Sequence, residues 1–478
     1  MGNRAAIFRH NIPLRKERTS LFKKFTNGCV TLVQNFLPDA FIFCIILTLV
    51  VFIAAVPVTR MSPLDITQAW GKGVWELLGF SMQMALVLVL GTAFATAPVV
   101  KRFIAWLGSI PQTPASAIVF VTVISTIASW ANWGFGLVVG AILAKEVAKK
   151  VRDVDYRLIV ASAYSGFVVW HAGFSGSIPL QLSSAATPEA LEKITAQTAG
   201  AVTEVIPVTR TIFSAWNLIV VLVIMVVISF VNVKMHPDKE HTVSVDPALL
   251  KDEEEVVTVP STPAEHLENS MALSILTALL GTVSLFYSFI KAGRVDISLN
   301  VVNMIFLILG ILAHKTPISY VRAITSASKS AGGIILQFPF YAGIMGMMTL
   351  AGPNGQSLAG AISHFFVSIS NPTTFPLFTF LSAGIVNFFV PSGGGQWAVQ
   401  APIVMPAGLQ LGVDPAVSAM GIAWGDAWTN MLQPFWALPA LGIAGLGARD
   451  IMGYCTIILI VTGIIIAGGF LILVPFLA

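Results

Sequence analysis

The chain has 478 residues, of which only 10% are charged while 56% are hydrophobic, and it carries 39 glycines besides. A soluble protein is about 25% charged, so a soluble enzyme of this length is excluded. So is intrinsic disorder, which needs low hydrophobicity. Net charge is +4, and three cysteines (Cys29, Cys44, Cys455) are too few and too scattered for a disulfide or metal framework. What remains is a polytopic membrane protein.

Residues 1–36 are basic and read as a cytoplasmic N-terminus, with Arg4, Arg9, Arg15, Lys16, Arg18, Lys23 and Lys24. The apolar run 38–58 follows and is long enough to cross a ~30 Å hydrocarbon core. It starts too late for a cleaved signal peptide. Further apolar runs lie at 80–98, 115–128, 134–148, 157–183, 211–234, 270–292, 299–313, 334–352, 373–390, 397–410, 415–446 and 451–477.

Two pairs of these runs are nearly continuous. The connections are Trp130–Gly136 and Pro391–Trp397, polar and Gly-rich. Each reads as a re-entrant hairpin, because exposed backbone inside a membrane survives only where protein or a cavity surrounds it. The runs 157–183 and 415–446 are interrupted at His171–Ser177 and at Gly425–Asn430. Gly, Ser, Asn and Asp weaken a helix or compete for its hydrogen bonds, so both read as discontinuous helices.

Nine full spans and two hairpins satisfy the positive-inside rule. Arg60, Lys72, Lys193, Arg210, Lys291 and Arg294 fall outside, and the other 21 of the 27 basic residues fall inside. The chain starts in the cytoplasm and ends on the periplasmic side of a bacterial-type inner membrane. The expected divisions are the N-terminus 1–36, a first transmembrane repeat 37–234, an acidic cytoplasmic linker 235–268, a connecting span 269–298 and a second repeat 299–478.

Each half holds a span, an amphipathic stretch (64–78; 317–331), a span, a second amphipathic stretch (100–110; 357–370), a hairpin, a broken helix and a final span. Four spans per repeat plus the connecting span invert the second half. The fold class is therefore an all-α polytopic inverted-repeat transporter with two re-entrant hairpins and two discontinuous helices. Broken helices in matching positions are the best sequence pointer to a secondary transporter's site.

At Asn132–Gly136 with the following Leu137–Val147, at Tyr164–Leu180 (YSGFVVWHAGFSGSIPL), Val390–Pro402 (VPSGGGQWAVQAP) and Trp424–Pro434 (WGDAWTNMLQP), the sequence resembles the short-chain fatty acid transporter family. The resemblance covers essentially the whole chain. It implies substrates such as acetoacetate and butyrate, and a homodimer of scaffold and transport domains moving as an elevator. The wider superfamily includes sodium-coupled dicarboxylate carriers. Their Ser-Asn-Thr hairpin signatures are absent here, so sodium coupling does not transfer residue by residue.

A short fatty acid is one carboxylate on a small apolar tail. Helix N-termini supply free N–H groups for the carboxylate, and glycine lets backbone approach closely. The expected substrate-binding residues are Asn132, Gly134, Gly136, Ser175, Ser177, Ser392, Gly393, Gly394, Gly395 and Thr429. For the tail, about two of Trp133, Phe135, Trp170, Phe174, Trp397, Trp424 and Trp428 are expected to touch substrate, the rest anchoring or packing.

Asp426 lies mid-span, and an intramembrane acid is a functional hypothesis by default. Asp426 with Asn430 and nearby carbonyls is expected to hold the coupling ion, Na⁺ or a proton, and His171 is a proton carrier or anion partner. Beyond such an ion no cofactor is expected. The expected partners are the fatty acid, the bilayer and a second copy, with no nucleic acid. The alternatives are a dicarboxylate/cation symporter, a passive anion channel and a membrane enzyme. Neither G-x-S-x-G nor H-E-x-x-H supports the last.

Overall fold

Six helices begin alike. Ser62, Thr113, Thr187, Thr262, Thr316 and Asp414 each precede a proline, and each side chain accepts a backbone N–H of the helix it opens. Such an N-cap satisfies an orphan donor, and proline at the first helical position gives up no hydrogen bond.

The computed structural model describes residues 8–9, 21–184, 187–245, 260–292, 299–329 and 331–477. The helices of the first half are α1 (Leu21–Phe36), α2 (Ala40–Thr59), α3 (Pro63–Glu76), α4 (Leu78–Thr96), α5 (Pro98–Leu107), α6 (Pro114–Ala131), α7 (Trp133–Lys150), α8 (Tyr156–Ser165), α9 (Ser177–Ser183), α10 (Pro188–Gln197) and α11 (Ala215–Lys234). Then come α12 (Pro263–Glu268) and α13 (Met271–Ala292). The second half is α14 (Leu299–His314), α15 (Pro317–Ser328), α16 (Gly332–Thr349), α17 (Leu358–Ser368), α18 (Phe375–Phe389), α19 (Gly393–Gln410), α20 (Pro415–Thr429), α21 (Pro434–Ala444), α22 (Ala448–Gly468) and α23 (Val474–Leu477). One short antiparallel pair, β1 (Phe8–Arg9) with β2 (Ser244–Val245), is the only sheet among the described residues. Among the described residues, eight helical segments are long and apolar enough to cross a membrane.

The order of elements repeats as expected, α2 to α9 answering α14 to α21. The packing repeats too, and it crosses between halves. Span α4 of the first half lies against α14 and α15 of the second, and span α16 of the second lies against α2 and α3 of the first. A reciprocal exchange of this kind follows from a pseudo-two-fold relation between two copies of one unit.

The hairpins are tighter than the sequence suggests. A single residue, Asn132, links α6 to α7, and Val390–Ser392 link α18 to α19. Gly393–Gly395, Gln396 and Trp397 are therefore the first turns of α19 rather than loop. Three of the four arms are longer than the apolar runs predict, α6, α7 and α19 each having 18 residues, while α18 has 15.

The first discontinuous helix is broken where expected. After α8 the chain tightens to 3-10 geometry over Gly166–Ala172, turns, and restarts at α9. The second break needs correction. Gly425–Thr429 are helical, and α20 ends only at Thr429, with the interruption at Asn430–Gln433. Gly425 serves packing instead. A Cβ there would stand 2.4 Å from the Phe380 carbonyl oxygen and 2.5 Å from the Ala383 Cβ, so the glycine lets α20 press against α18.

In the linker, α12 is capped by a Thr262/Glu265 box. The acidic run Asp246–Glu255 lies outside the described residues.

Candidate functional site

The 3-10 segment ends at Ala172, so His171 stands at its last turn, where the chain leaves helical geometry. Such tightened stretches inside helices often mark functional hinges. From the other half, Asp426 projects from the last turn of α20. His171 Nδ1 and Asp426 Oδ2 are 2.7 Å apart, and both side chains are buried, 0% and 1% exposed.

The tautomer follows from the neighbours. The Ile178 backbone N–H, at the start of α9, donates to His171 Nε2 at 3.1 Å. That nitrogen must accept, so the imidazole carries its proton on Nδ1 and donates it to Asp426. An imidazolium would set two N–H groups against each other at Nε2. Ser177 Oγ also lies 3.1 Å from Nε2. Asp426 Oδ1 is buried without a hydrogen-bond partner. The carboxylate thus has one satisfied oxygen and one open oxygen. It also sits at the C-terminal end of a helix, where the partial negative charge of free carbonyls disfavours an anion.

The tip of the second hairpin closes over this pair. A Cβ on Gly393 would meet Ser177 Oγ at 2.3 Å and His171 Cε1 at 2.7 Å. Only a glycine permits that approach. Ser392 caps α19, accepting from the Gly395 N–H at 3.3 Å. A Cβ on Gly394 would meet nothing within 4 Å, while one on Gly395 would stand 3.1 Å from Met345 Sδ.

The first hairpin is pinned to the same break. The Trp133 N–H donates to Ser175 Oγ at 2.9 Å, the Phe174 N–H to the Trp130 carbonyl at 2.8 Å, and Trp130 Nε1 to the Ala172 carbonyl at 3.1 Å. Asn132 caps α7 through the Phe135 N–H at 3.0 Å. Gly134 is buried in the first turn of α7, and Gly136 is pressed against Ser129 of the opposite arm.

The structure thus brings His171, Asp426, Ser177 and Gly393 together. It places Thr429 and Asn430 in a different network. Asn387 of α18 donates through Nδ2 to Thr429 Oγ1 at 2.9 Å and to Asn430 Oδ1 at 2.7 Å, and Thr429 Oγ1 donates to the Gly384 carbonyl at 2.8 Å. The Asn430 side-chain oxygen, expected on the coupling ion beside Asp426, is therefore taken up by Asn387. Sequence reading passed over Asn387; the signal was an amide in the last turn of an otherwise apolar hairpin arm.

The aromatic residues divide similarly. Trp170 stacks on His171 with ring centroids 4.1 Å apart, and Trp133, Trp170 and Trp436 form a cluster with centroids 5.2–6.2 Å apart. The indole N–H groups of Trp170 and Trp436 are buried and unpartnered. Trp436, also passed over, sits in α21 just beyond the second break. Trp424, Trp428 and Trp397 anchor, donating to Asn217 Oδ1 at 3.0 Å, the Leu459 carbonyl at 2.7 Å and Gln197 Oε1 at 3.3 Å. Phe174 packs against Trp130, and Phe135 against Phe306.

A repeated all-helical fold, with a hairpin tip and a buried His–Asp pair meeting at its broken helices, defines a polytopic membrane transporter. The comparisons narrow the class. The pattern of the family described as "Short chain fatty acid transporter" matches residues 21–473. Two relatives named "Putative short-chain fatty acid transporter" are each 44% identical. The one from Haemophilus influenzae matches over 92% of this chain and 98% of its own, and the one from Escherichia coli over 91% and 96%. This chain belongs to the short-chain fatty acid transporter family, whose members are transporters and not enzymes.

Among solved structures it is distantly similar to the YdaH transporter of Alcanivorax borkumensis, at 15% identity and a TM-score of 0.43 over 91% of this chain and 98% of that one. It is similar also to MtrF of Neisseria gonorrhoeae, at 16% identity and a TM-score of 0.37 over 95% and 98%. Both likenesses are too distant to carry a functional argument.

Proposed function

We propose that the chain is a proton-coupled secondary carrier of short-chain monocarboxylates such as butyrate and acetoacetate. The observation that carries this reading is the buried His171–Asp426 pair with its single open oxygen, Asp426 Oδ1. A desolvated carboxylate at a helix C-terminus is unfavourable unless neutralised. A proton on Oδ1 neutralises it and leaves the hydrogen bond from His171 in place. A Na⁺ ion needs a shell of several oxygens, and the Asn430 oxygen expected to join that shell is bonded to Asn387. The family and the names of the 44% identical relatives support the substrate class.

In this reading the protein lies in the cytoplasmic membrane as a homodimer, its N-terminus inside and its C-terminus outside. The two hairpins and two broken helices move together against the remaining spans in an elevator-type alternation. The first hairpin enters from inside and the second from outside. The carboxylate is met by hairpin-tip N–H groups and the tail by the Trp133, Trp170 and Trp436 cluster.

The test is uptake of labelled butyrate into proteoliposomes under an imposed pH gradient or, separately, an imposed Na⁺ gradient. Accumulation above equilibrium under the pH gradient alone is expected. Accumulation under Na⁺ alone would overturn the coupling assignment. Equilibration under both, without trans-stimulation, would mean a passive anion channel. Preferential uptake of succinate would mean a dicarboxylate symporter.

A further inference from the structure

Two clefts occupy corresponding places in the two halves. One lies among α16, α17 and α19 and has a volume of about 540 Å³. Its counterpart among α4, α5 and α7 has about 50 Å³. Related by the repeat, the two places should be alike in a symmetric molecule; here one is open and the other nearly filled. The open one falls in the ~300–1,000 Å³ range of small-molecule sites.

Its walls have the chemistry of a small amphiphilic acid. Met345, Val399 and Ile403 offer an apolar side, Gln356 and His364 a polar one, and Gly395 lies on its wall as well. Gly395 and Gly393 share the first turn of α19, and Gly393 abuts His171 and Ser177. One helical turn therefore separates the cleft from the His171–Asp426 pair. Two titratable side chains line the cleft: His364 of α17 and Glu76, the last residue of α3. The imidazole offers an N–H in either protonation state. The carboxylate of Glu76 offers acceptors only and repels an anion.

From this arrangement we propose that the cleft is an access site that binds a short monocarboxylate before translocation, with His364 donating to its carboxylate and Glu76 acting as the charge filter that rejects dicarboxylates. The inference rests on the carrier reading above and deepens it by assigning the selectivity. A monocarboxylate turns a neutral tail toward the Glu76 side. A four-carbon dicarboxylate brings a second negative charge up to the Glu76 carboxylate, and like-charge juxtaposition is a means of excluding wrong partners.

The experiment is butyrate uptake into proteoliposomes with succinate as competitor, using wild type, Glu76→Gln and His364→Ala. Wild type concentrates butyrate and ignores succinate. Glu76→Gln becomes sensitive to succinate. His364→Ala raises the KM for butyrate roughly tenfold, the effect of one hydrogen bond to a charged group, with a smaller change in kcat, and His364→Gln recovers part of it through its amide donor. As a measurement independent of these variants, Ala398→Cys on the cleft wall is alkylated by an impermeant maleimide, and butyrate slows the reaction. Wild type that takes up no butyrate would overturn the carrier reading and this inference with it. Wild type that does, beside a Glu76→Gln still blind to succinate, an unaltered KM in His364→Ala, or labelling of Ala398→Cys that saturating butyrate leaves unchanged, would overturn the inference alone.

Discussion

His171 and Asp426 are 255 residues apart in the chain and 2.7 Å apart in the buried centre of the fold. Each comes from the broken helix of its own half, so the contact ties the two repeats where their helices break. It is also directional. The Ile178 N–H fixes His171 as donor toward Asp426, which leaves Asp426 Oδ1 as the one carboxylate oxygen without a hydrogen bond.

Asp426→Asn has the same shape but cannot take up a proton. It is expected to abolish pH-driven accumulation of butyrate while leaving exchange of butyrate for butyrate. Concentrative uptake at the wild-type level by this variant would remove Asp426 from the coupling step. His171→Ala strips the donor from a buried acid and should lower stability by about 2 kcal/mol, read from a thermal melt in detergent.

Gly393 and Gly394 are neighbours with opposite surroundings. Gly393→Ala forces a methyl group to within 2.3 Å of Ser177 Oγ, and overpacking of this kind destabilises by about 1–3 kcal/mol. Gly394→Val projects into open space and should leave the melting temperature near wild type while blocking butyrate uptake by filling the tip. A Gly394→Val protein with normal uptake kinetics would show that the tip does not line the route.

Asn217 of α11 joins the two broken helices. Its Nδ2 donates to the Ala172 and Ile212 carbonyls at 3.2 and 2.8 Å, and its Oδ1 accepts from Trp424 Nε1 at 3.0 Å. Asn217→Leu leaves the Ile212 carbonyl and the Trp424 indole N–H without this partner, at about 1–3 kcal/mol for each, while the Ala172 carbonyl keeps its bond from Trp130. The expected result is a lower melting temperature with the pH optimum of uptake unmoved. A shifted optimum would mean that Asn217 belongs to the proton pathway rather than to its frame.

Beyond the end of α11, His236 accepts the Asp155 N–H through Nε2 at 3.2 Å, and Nδ1 donates to the Pro237 carbonyl at 2.9 Å. Asp155 in turn accepts from the Val243 N–H at 2.9 Å and from Arg157 at 3.0 Å. Burial holds the His236 imidazole below its ordinary pKa, against the opposing pull of Asp155. The neutral form is therefore the folded one, and the unfolded state binds more protons. Docking of residues 236–245 is complete well above pH ~6.5 and weakens as pH falls through and below that value. The protection factors of this segment, exchange rates corrected for the intrinsic pH dependence of amide exchange, should fall between pH 7.5 and 5.5 in wild type and change less in His236→Gln; equal pH responses would count against His236 as the titrating group.

Much of the architecture was legible along the chain. The apolar runs 38–58, 211–234 and 270–292, which form α2, α11 and α13, are local composition, and local composition does not depend on the fold around it. The hairpins and the break at His171 were readable for the same reason, since Gly and polar residues inside apolar runs interrupt helices. The second break was misplaced because Gly425 was taken for an interruption. Its small size answers to Phe380 and Ala383 on another helix, and close packing between elements leaves no mark in one segment alone. Asn387 and Trp436 were missed likewise: an amide and an indole in apolar runs look like packing until their neighbours are known.

The sequence by itself determined that this is a membrane protein of two repeated halves, because hydropathy, charge placement and helix punctuation are properties of short segments. It also singled out His171 and Asp426, because buried polar groups in apolar helices are costly wherever they fall. Only the tertiary structure decided that the two meet, that Ile178 makes the histidine a donor, that Asn430 turns away to Asn387, and that one cleft is open while its counterpart is nearly filled. Those are relations between residues tens to hundreds of positions apart, set by the packing of one half against the other.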